Sequence, residues 1–133
     1  MRIVLDSNVI IAAFATRGLC QALFEYCLEN HDVIVCEEIL GEVRAALLGK
    51  IKVPEETVGQ IGNYLRNSME LVRPAEIDIP DLKDRSDLPI LGAAVSSGAD
   101  YLITGDNELL ELGKIADTAI VSPRTFWEKM KSG

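Results

Sequence analysis

The stretch Arg2-Ile3-Val4-Leu5-Asp6-Ser7-Asn8-Val9 decides the fold class. Its β-branched, unalternating start predicts a strand buried on both faces. Asp6 ends that strand, and Asn8 to Phe14 runs on as a helix until Arg17-Gly18 breaks the pattern. The order then repeats. Leu19, Leu23, Phe24, Cys27 and Leu28 fall at helical spacing, and Val33 to Cys36 is a second buried strand. Glu37 to Leu48 is a helix with Ile39, Val43, Ala46 and Leu47 on one face and Gly49 as its stop. After Pro54 a helix carries Val58, Ile61, Leu65 and Met69, weakened by Gly59 and Gly62, and Glu70 to Val72 is a short strand. Leu88 to Ser97 is a small-residue helix ended by Gly98. Tyr101 to Thr104 is a strand, Asn107 to Leu112 a short helix and Thr118 to Val121 the last strand. Ser122 caps a final helix that begins at Pro123 and passes through Phe126, Trp127 and Met130. Arg73 to Ser86, rich in acids and prolines, reads as an extended, solvated loop. Strands alternating with helices give one α/β domain over residues 1–133, its mainly parallel sheet covered on both faces.

Composition narrows the function. With 133 residues, 48% of them apolar, the chain can bury a sizeable core. The 21 acids against 13 Lys plus Arg give a net charge of −8, which argues against nucleic-acid binding through a basic surface. No stretch approaches the roughly 18 apolar residues of a membrane span, so no membrane partner is expected. Three widely spaced cysteines, Cys20, Cys27 and Cys36, suit thiols in a reducing cytoplasm better than a disulfide frame. His31 is the only histidine and reads as a turn residue, which excludes paired-histidine chemistry.

The acids are placed with more purpose. In a parallel sheet, sites form outside the carboxyl ends of the strands. Asp6 and Asp106 follow two such ends, and Asp87 opens a helix that runs back to the same edge. At about 100° per residue, Glu42 lies about 60° from Ile39 and about 40° from Ala46, at the border of the buried face. Four carboxylates converging there repel one another unless a hard divalent cation such as Mg²⁺ or Mn²⁺ offsets them. Such an ion also activates water and stabilises charge on a phosphate. Relief of that repulsion predicts that Asp6→Asn stabilises the metal-free protein. Plainer roles compete: Asp6, Asp87 and Asp106 can each cap a helix, and Glu42 can be an ordinary surface glutamate.

On Ile3-Val4-Leu5-Asp6-Ser7-Asn8-Val9, on Glu38-Ile39-Leu40-Gly41-Glu42-Val43 and on the run from Asp84 to Leu110, the sequence resembles the PIN-domain family. That run holds Asp87-Leu88-Pro89-Ile90-Leu91-Gly92-Ala93-Ala94 and Tyr101-Leu102-Ile103-Thr104-Gly105-Asp106. The resemblance covers nearly the whole chain. It implies a three-layer α/β/α fold and a metal-dependent ribonuclease, of the kind found as toxins of VapBC-type toxin–antitoxin pairs. By it, Asp6, Glu42, Asp87 and Asp106 hold one or two Mg²⁺ or Mn²⁺ ions, while Asn8 and Thr104 orient the carboxylates. Ser7 stands where threonine is usual and Glu108 where aspartate is common. Asp84 and Asp87 compete for the third position, and the Leu-Gly-Ala-Ala that follows favours Asp87. An antitoxin protein, an RNA substrate and self-association are the implied partners, with Phe24, Tyr64 and Trp127 offering apolar area for a homodimer. Arg17, Arg44, Lys83 and Arg85 are the nearest candidates for holding phosphate.

Rivals fare worse. A haloacid-dehalogenase-type phosphotransferase needs an acid two residues after the first aspartate, where Asn8 stands. A receiver domain needs a lysine after the last strand, where Ser122-Pro123 stands. The remaining alternative is the same fold acting as a non-catalytic protein-interaction domain.

Overall fold

Ile3, Val4 and Leu5 are wholly buried, and the strand they form lies inside the sheet. The computed structural model describes residues 1–132. In chain order the elements are β1 (Arg2–Leu5), α1 (Ser7–Ala15), α2 (Leu19–Asn30), β2 (Asp32–Val35), α3 (Glu37–Gly49), α4 (Glu55–Ser68) and β3 (Glu70–Leu71). A 3₁₀ turn at Arg85–Asp87 then leads into α5 (Leu88–Ser97), β4 (Tyr101–Ile103), α6 (Asn107–Leu112), β5 (Lys114–Ile115), β6 (Thr118–Val121) and α7 (Pro123–Ser132).

Among the described residues the sheet has six strands in the order β3-β2-β1-β4-β6-β5, all parallel except β5. The chain builds outward from β1 to β2 and β3, then returns to place β4 on the other side of β1. The order therefore reverses between β1 and β4, where Leu5 pairs with Ile103. Apolar residues on successive positions of β1, β2 and β4 need cover on both faces, which the helices supply. No single helix is long and apolar enough to cross a membrane; α1 and α2 reach that length only together and are bent by 111° at their junction.

One expectation needs correction, and two further features lay outside the expectations. The segment from Arg73 to Ser86 is not fully solvated: Leu82 joins the core and Ile77 and Ile79 pack against it. These residues were hidden among acids and prolines, but their apolar area is large enough to hold the segment down. Gly49 does end α3, yet the left-handed residue lies further on, at Lys52 with φ 59°. Finally, β5 is too short to leave a periodic signal, and its turn to β6 passes through Ala116 at φ 50° rather than through glycine or asparagine. Smaller expectations hold. Ser122 Oγ accepts from Thr125 N at 3.1 Å, and Gly98 closes α5 in the left-handed region at φ +63°. Cys27 and Cys36 are buried thiols, Cys20 is half-buried, and His31 closes α2 with its ring edge-on to Tyr26 and Phe126. Of the three aromatics considered for self-association, Phe24 is core, packed on Phe14, and Trp127 is half-buried; only Tyr64 is well exposed.

Gly92 shows how closely the loop and α5 approach. Its carbonyl accepts from Ala75 N at 3.0 Å, and a Cβ there would fall inside the van der Waals envelope of the Ala75 carbonyl oxygen. A Cβ on Gly62 of α4 meets open space. The same substitution should therefore have opposite signs. Gly92→Ala should destabilise by about 1–3 kcal/mol, whereas Gly62→Ala should stabilise by up to about 1 kcal/mol through helix propensity. Urea unfolding of both variants checks this.

Candidate functional site

Asp6 leaves the end of β1 and Thr104 the end of β4, side by side at the point where strand order reverses. Asp6 is only 2% exposed, and four donors surround its carboxylate. Ser7 N donates to Oδ1 at 2.7 Å and Ser7 Oγ to the same atom at 3.4 Å. Thr104 Oγ1 donates to Oδ2 at 2.6 Å and Asn8 Nδ2 to it at 3.3 Å. The Thr104 hydroxyl in turn accepts from Asp106 N at 3.0 Å, and Asn8 Oδ1 accepts from Gly105 N at 3.3 Å. One hydroxyl and one amide thus tie the two strand ends together and set the turn that carries Asp106.

The carboxylates gather on one open cavity of about 530 Å³, lined by Asp6, Glu42, Asp84, Asp87 and Asp106 together with Ser7 and Asn8. Two of the carboxylates that line the cavity are also helix caps: Asp6 caps α1, and Asp106 caps α6 by accepting from Glu108 N at 2.8 Å. For Asp87 the capping role fails, since its side chain caps nothing. It is 6% exposed and its Oδ2 is buried without any hydrogen-bond partner. The local cap is Asp84, whose Oδ1 accepts from Ser86 N at 3.0 Å and Ser86 Oγ at 2.6 Å. Glu108 holds that segment in place, accepting from Lys83 N at 2.9 Å and Asp84 N at 3.3 Å. The glutamate's extra length over aspartate is used in reaching those two amides.

Electrostatics follow from burial and crowding. Asp87 is pushed up to about 7, first by burial and then by the charges of Asp106, Asp84 and Asp6. Burial also raises Asp6, against the pull of its bonds from Thr104 and Ser7. Glu42 is exposed by area, but its carboxyl faces the cavity and is raised by desolvation and then by Asp6. Asp84 is lowered, because Ser86 donates to it twice. The donor set is all oxygen, which suits a hard divalent cation. The carboxylates share the cavity without closing on one point: among the described residues, no group of three His, Cys, Asp or Glu side chains is gathered as a metal site.

The sequence-derived phosphate candidates lie elsewhere. Arg85 is paired with Asp78 and the Ile79 carbonyl. Arg44 lines a separate groove of about 270 Å³ between α3 and α4, 4.0 Å from Glu55. Arg17 and Lys83 are not among the residues lining the carboxylate cavity. The cation that does line it is Lys50, which sequence reasoning passed over. A lysine just past the end of a helix is usually explained by the helix dipole alone.

A family model for the PIN domain matches residues 2–108. The chain therefore belongs to the PIN domain family. Two solved structures share its fold. One is VapBC2 from Rickettsia felis bound to a DNA fragment from their promoter, at 15% identity and TM-score 0.60, with 92% of this chain and 98% of that one covered. The other is FitAcB from Neisseria gonorrhoeae, at 17% identity and TM-score 0.57, with the same coverage of 92% and 98%. No curated protein matches the sequence.

The structure moves the charge-relief expectation from Asp6 to Asp87. An amide at position 6 would set its NH₂ against the Ser7 N–H in one orientation and against Thr104 and Asn8 in the other, whereas at position 87 it removes a charge from an oxygen that has no donor. Folding raises the Asp87 pKa, so the ionised form costs stability. That cost is absent below the ordinary value of 3.8, grows as pH rises and is complete above about 7. Metal-free Asp87→Asn should thus melt above wild type at pH 8, by roughly 3–8 °C for about 1–2 kcal/mol. The gap should close toward pH 4. Thermal melts in EDTA across that range test it.

Proposed function

We propose that this chain is a metal-dependent endoribonuclease that hydrolyses RNA phosphodiester bonds, the toxin of a VapBC-type pair. The observation that carries the reading is the buried, unpartnered Oδ2 of Asp87, a residue that lines the same cavity as Asp6, Glu42 and Asp106. A buried carboxylate oxygen without a donor is costly. A cation is what that oxygen and its neighbours lack. Mg²⁺ or Mn²⁺ would be held by Asp6, Glu42, Asp87 and Asp106, with Asp84 beside them, after side-chain rotation brings the carboxylates together. When bound, such an ion supplies counter-charge to the phosphate and activates a water at neutral pH.

The chain's own residues do the positioning. Thr104, Ser7 and Asn8 fix Asp6 by donating to both of its oxygens, two bonds to each. The Glu108 amide fixes Asp106. Glu42, exposed on α3, lines the cavity beside Ser7 and Asp6. An antitoxin protein as partner, a cytoplasmic setting and a homodimer belong to the same proposal. For the antitoxin, the support is the family and a fold shared with the VapBC2 and FitAcB structures.

Total cellular RNA incubated with the protein and Mn²⁺, followed by sequencing of new 5′ ends, tests the activity. Wild type should cut, and both EDTA and Asp6→Asn should abolish the cuts. Wild type that leaves RNA intact, with a melting temperature indifferent to Mn²⁺, would replace the nuclease by the non-catalytic protein-binding domain of the same fold.

A further inference from the structure

Five carboxylates and a single cation line the cavity, and that cation, Lys50, makes no ion pair among the described residues. Its backbone is fixed: Lys50 N donates to Ala46 O at 3.0 Å, and Ile51 N donates to the same carbonyl at 3.1 Å. Lys50 therefore sits at the end of α3 with a settled root and a free ammonium. Glu42 lines the cavity from the same helix, eight residues earlier, or about 12 Å along the axis at 1.5 Å per residue. Between them α3 shows the cavity only Ala45, Ala46 and Gly49, and a Cβ on Gly49 would meet nothing within 4 Å. The wall is thus acidic at one end, low in the middle and basic at the other. Its opposite side carries Asp87, buried with an oxygen that has no partner.

We propose that Lys50 is the phosphate-binding residue of this site, holding a phosphate that flanks the scissile bond while the strand lies along Ala45, Ala46 and Gly49. This rests on the ribonuclease reading. The carboxylate end of the cavity selects a cation, and one phosphodiester is drawn to it. The next phosphates of the strand need their own counter-charge, and Lys50 is placed along the wall to provide it. As a compact point charge on a flexible stem, a lysine suits a phosphate without reading the base. Lys50 acts on affinity and strand direction, and the chemistry stays with the carboxylates.

The test compares wild type, Lys50→Ala, Lys50→Arg and Gly49→Leu in Mn²⁺, using a short fluorescein-labelled single-stranded RNA of mixed sequence. Cleavage is followed at several salt concentrations, and binding by anisotropy is measured on each variant in an Asp106→Asn background. Lys50→Ala should raise Kd and KM about fivefold, with the effect concentrated in KM. It should flatten the salt dependence of log Kd by about 0.7, the loss of one single-strand phosphate contact. Lys50→Arg should restore both, and Gly49→Leu should raise KM by obstructing the wall. The Mn²⁺-induced melting shift should match wild type in all three. If Lys50→Ala lowers only the melting temperature, with KM and salt slope unmoved, the lysine is a helix-end charge and the proposal is wrong. If wild type neither binds nor cuts the RNA, the ribonuclease reading falls and this proposal with it.

Discussion

Everything at this site depends on how a carboxylate is kept buried at the end of β1. Asp6 is tolerated there because four donors meet it, the shortest from Thr104 across the strand gap. That hydroxyl bonds in both directions, giving its proton to Asp6 and taking one from the Asp106 amide. The distance between the first and last acids of the site is thereby set by sheet register, since Leu5 pairs with Ile103. Asn8 repeats the link from the helix side, donating to Asp6 and accepting from Gly105 N. A parallel sheet whose order reverses between these strands leaves a crevice there, and the polar links line its floor.

The remaining acids are not satisfied in the same way. Asp87 lies buried with a bare oxygen, and Glu42 rides on a helix whose opposite face packs into the core. A fold optimised only for stability would place a neutral side chain at position 87, because desolvation and three neighbouring carboxylates all oppose its ionised form. The core carries this cost: β1, β2 and β4 contribute an uninterrupted apolar layer. Stability lost at one edge is supplied by the sheet, so a strained cluster persists on a rigid frame.

The frame itself was legible in the sequence. Strands buried on both faces leave unbroken β-branched runs, and Asp6, Asp87 and Asp106 each stand where such a run or a returning helix meets the carboxyl edge. Glu42 was visible only as a border position, because periodicity states a helix face without saying what lies opposite it. Other features left no such trace. A two-residue strand such as β5 has no period, and Leu82 stood among acids that masked its burial. Glu108 looked like a conservative replacement, yet its length spans to two amides of the Asp84 segment. Lys50 could not be told from any lysine near a helix end, since what distinguishes it is the cavity assembled by α1, the 84–87 segment and the end of β4.

Charge also separates the site from the rest of the surface. Arg2 pairs with Glu70, Arg66 with Glu37 and Arg85 with Asp78, all outside the cavity. At physiological salt the Debye length is about 8 Å, so the net charge of −8 does not act as one long-range field. What a polyanion meets at the crevice is the local balance, five acids against Lys50. Without an added cation that balance repels phosphate at the place where the chemistry would occur. Under the ribonuclease reading, ion and substrate must therefore bind with positive coupling, each raising the other's affinity by the same factor. The acidic surplus then acts as a filter: phosphate gains a foothold only where a divalent ion has reversed the local sign, and a basic surface, which would hold any nucleic acid anywhere, is not needed.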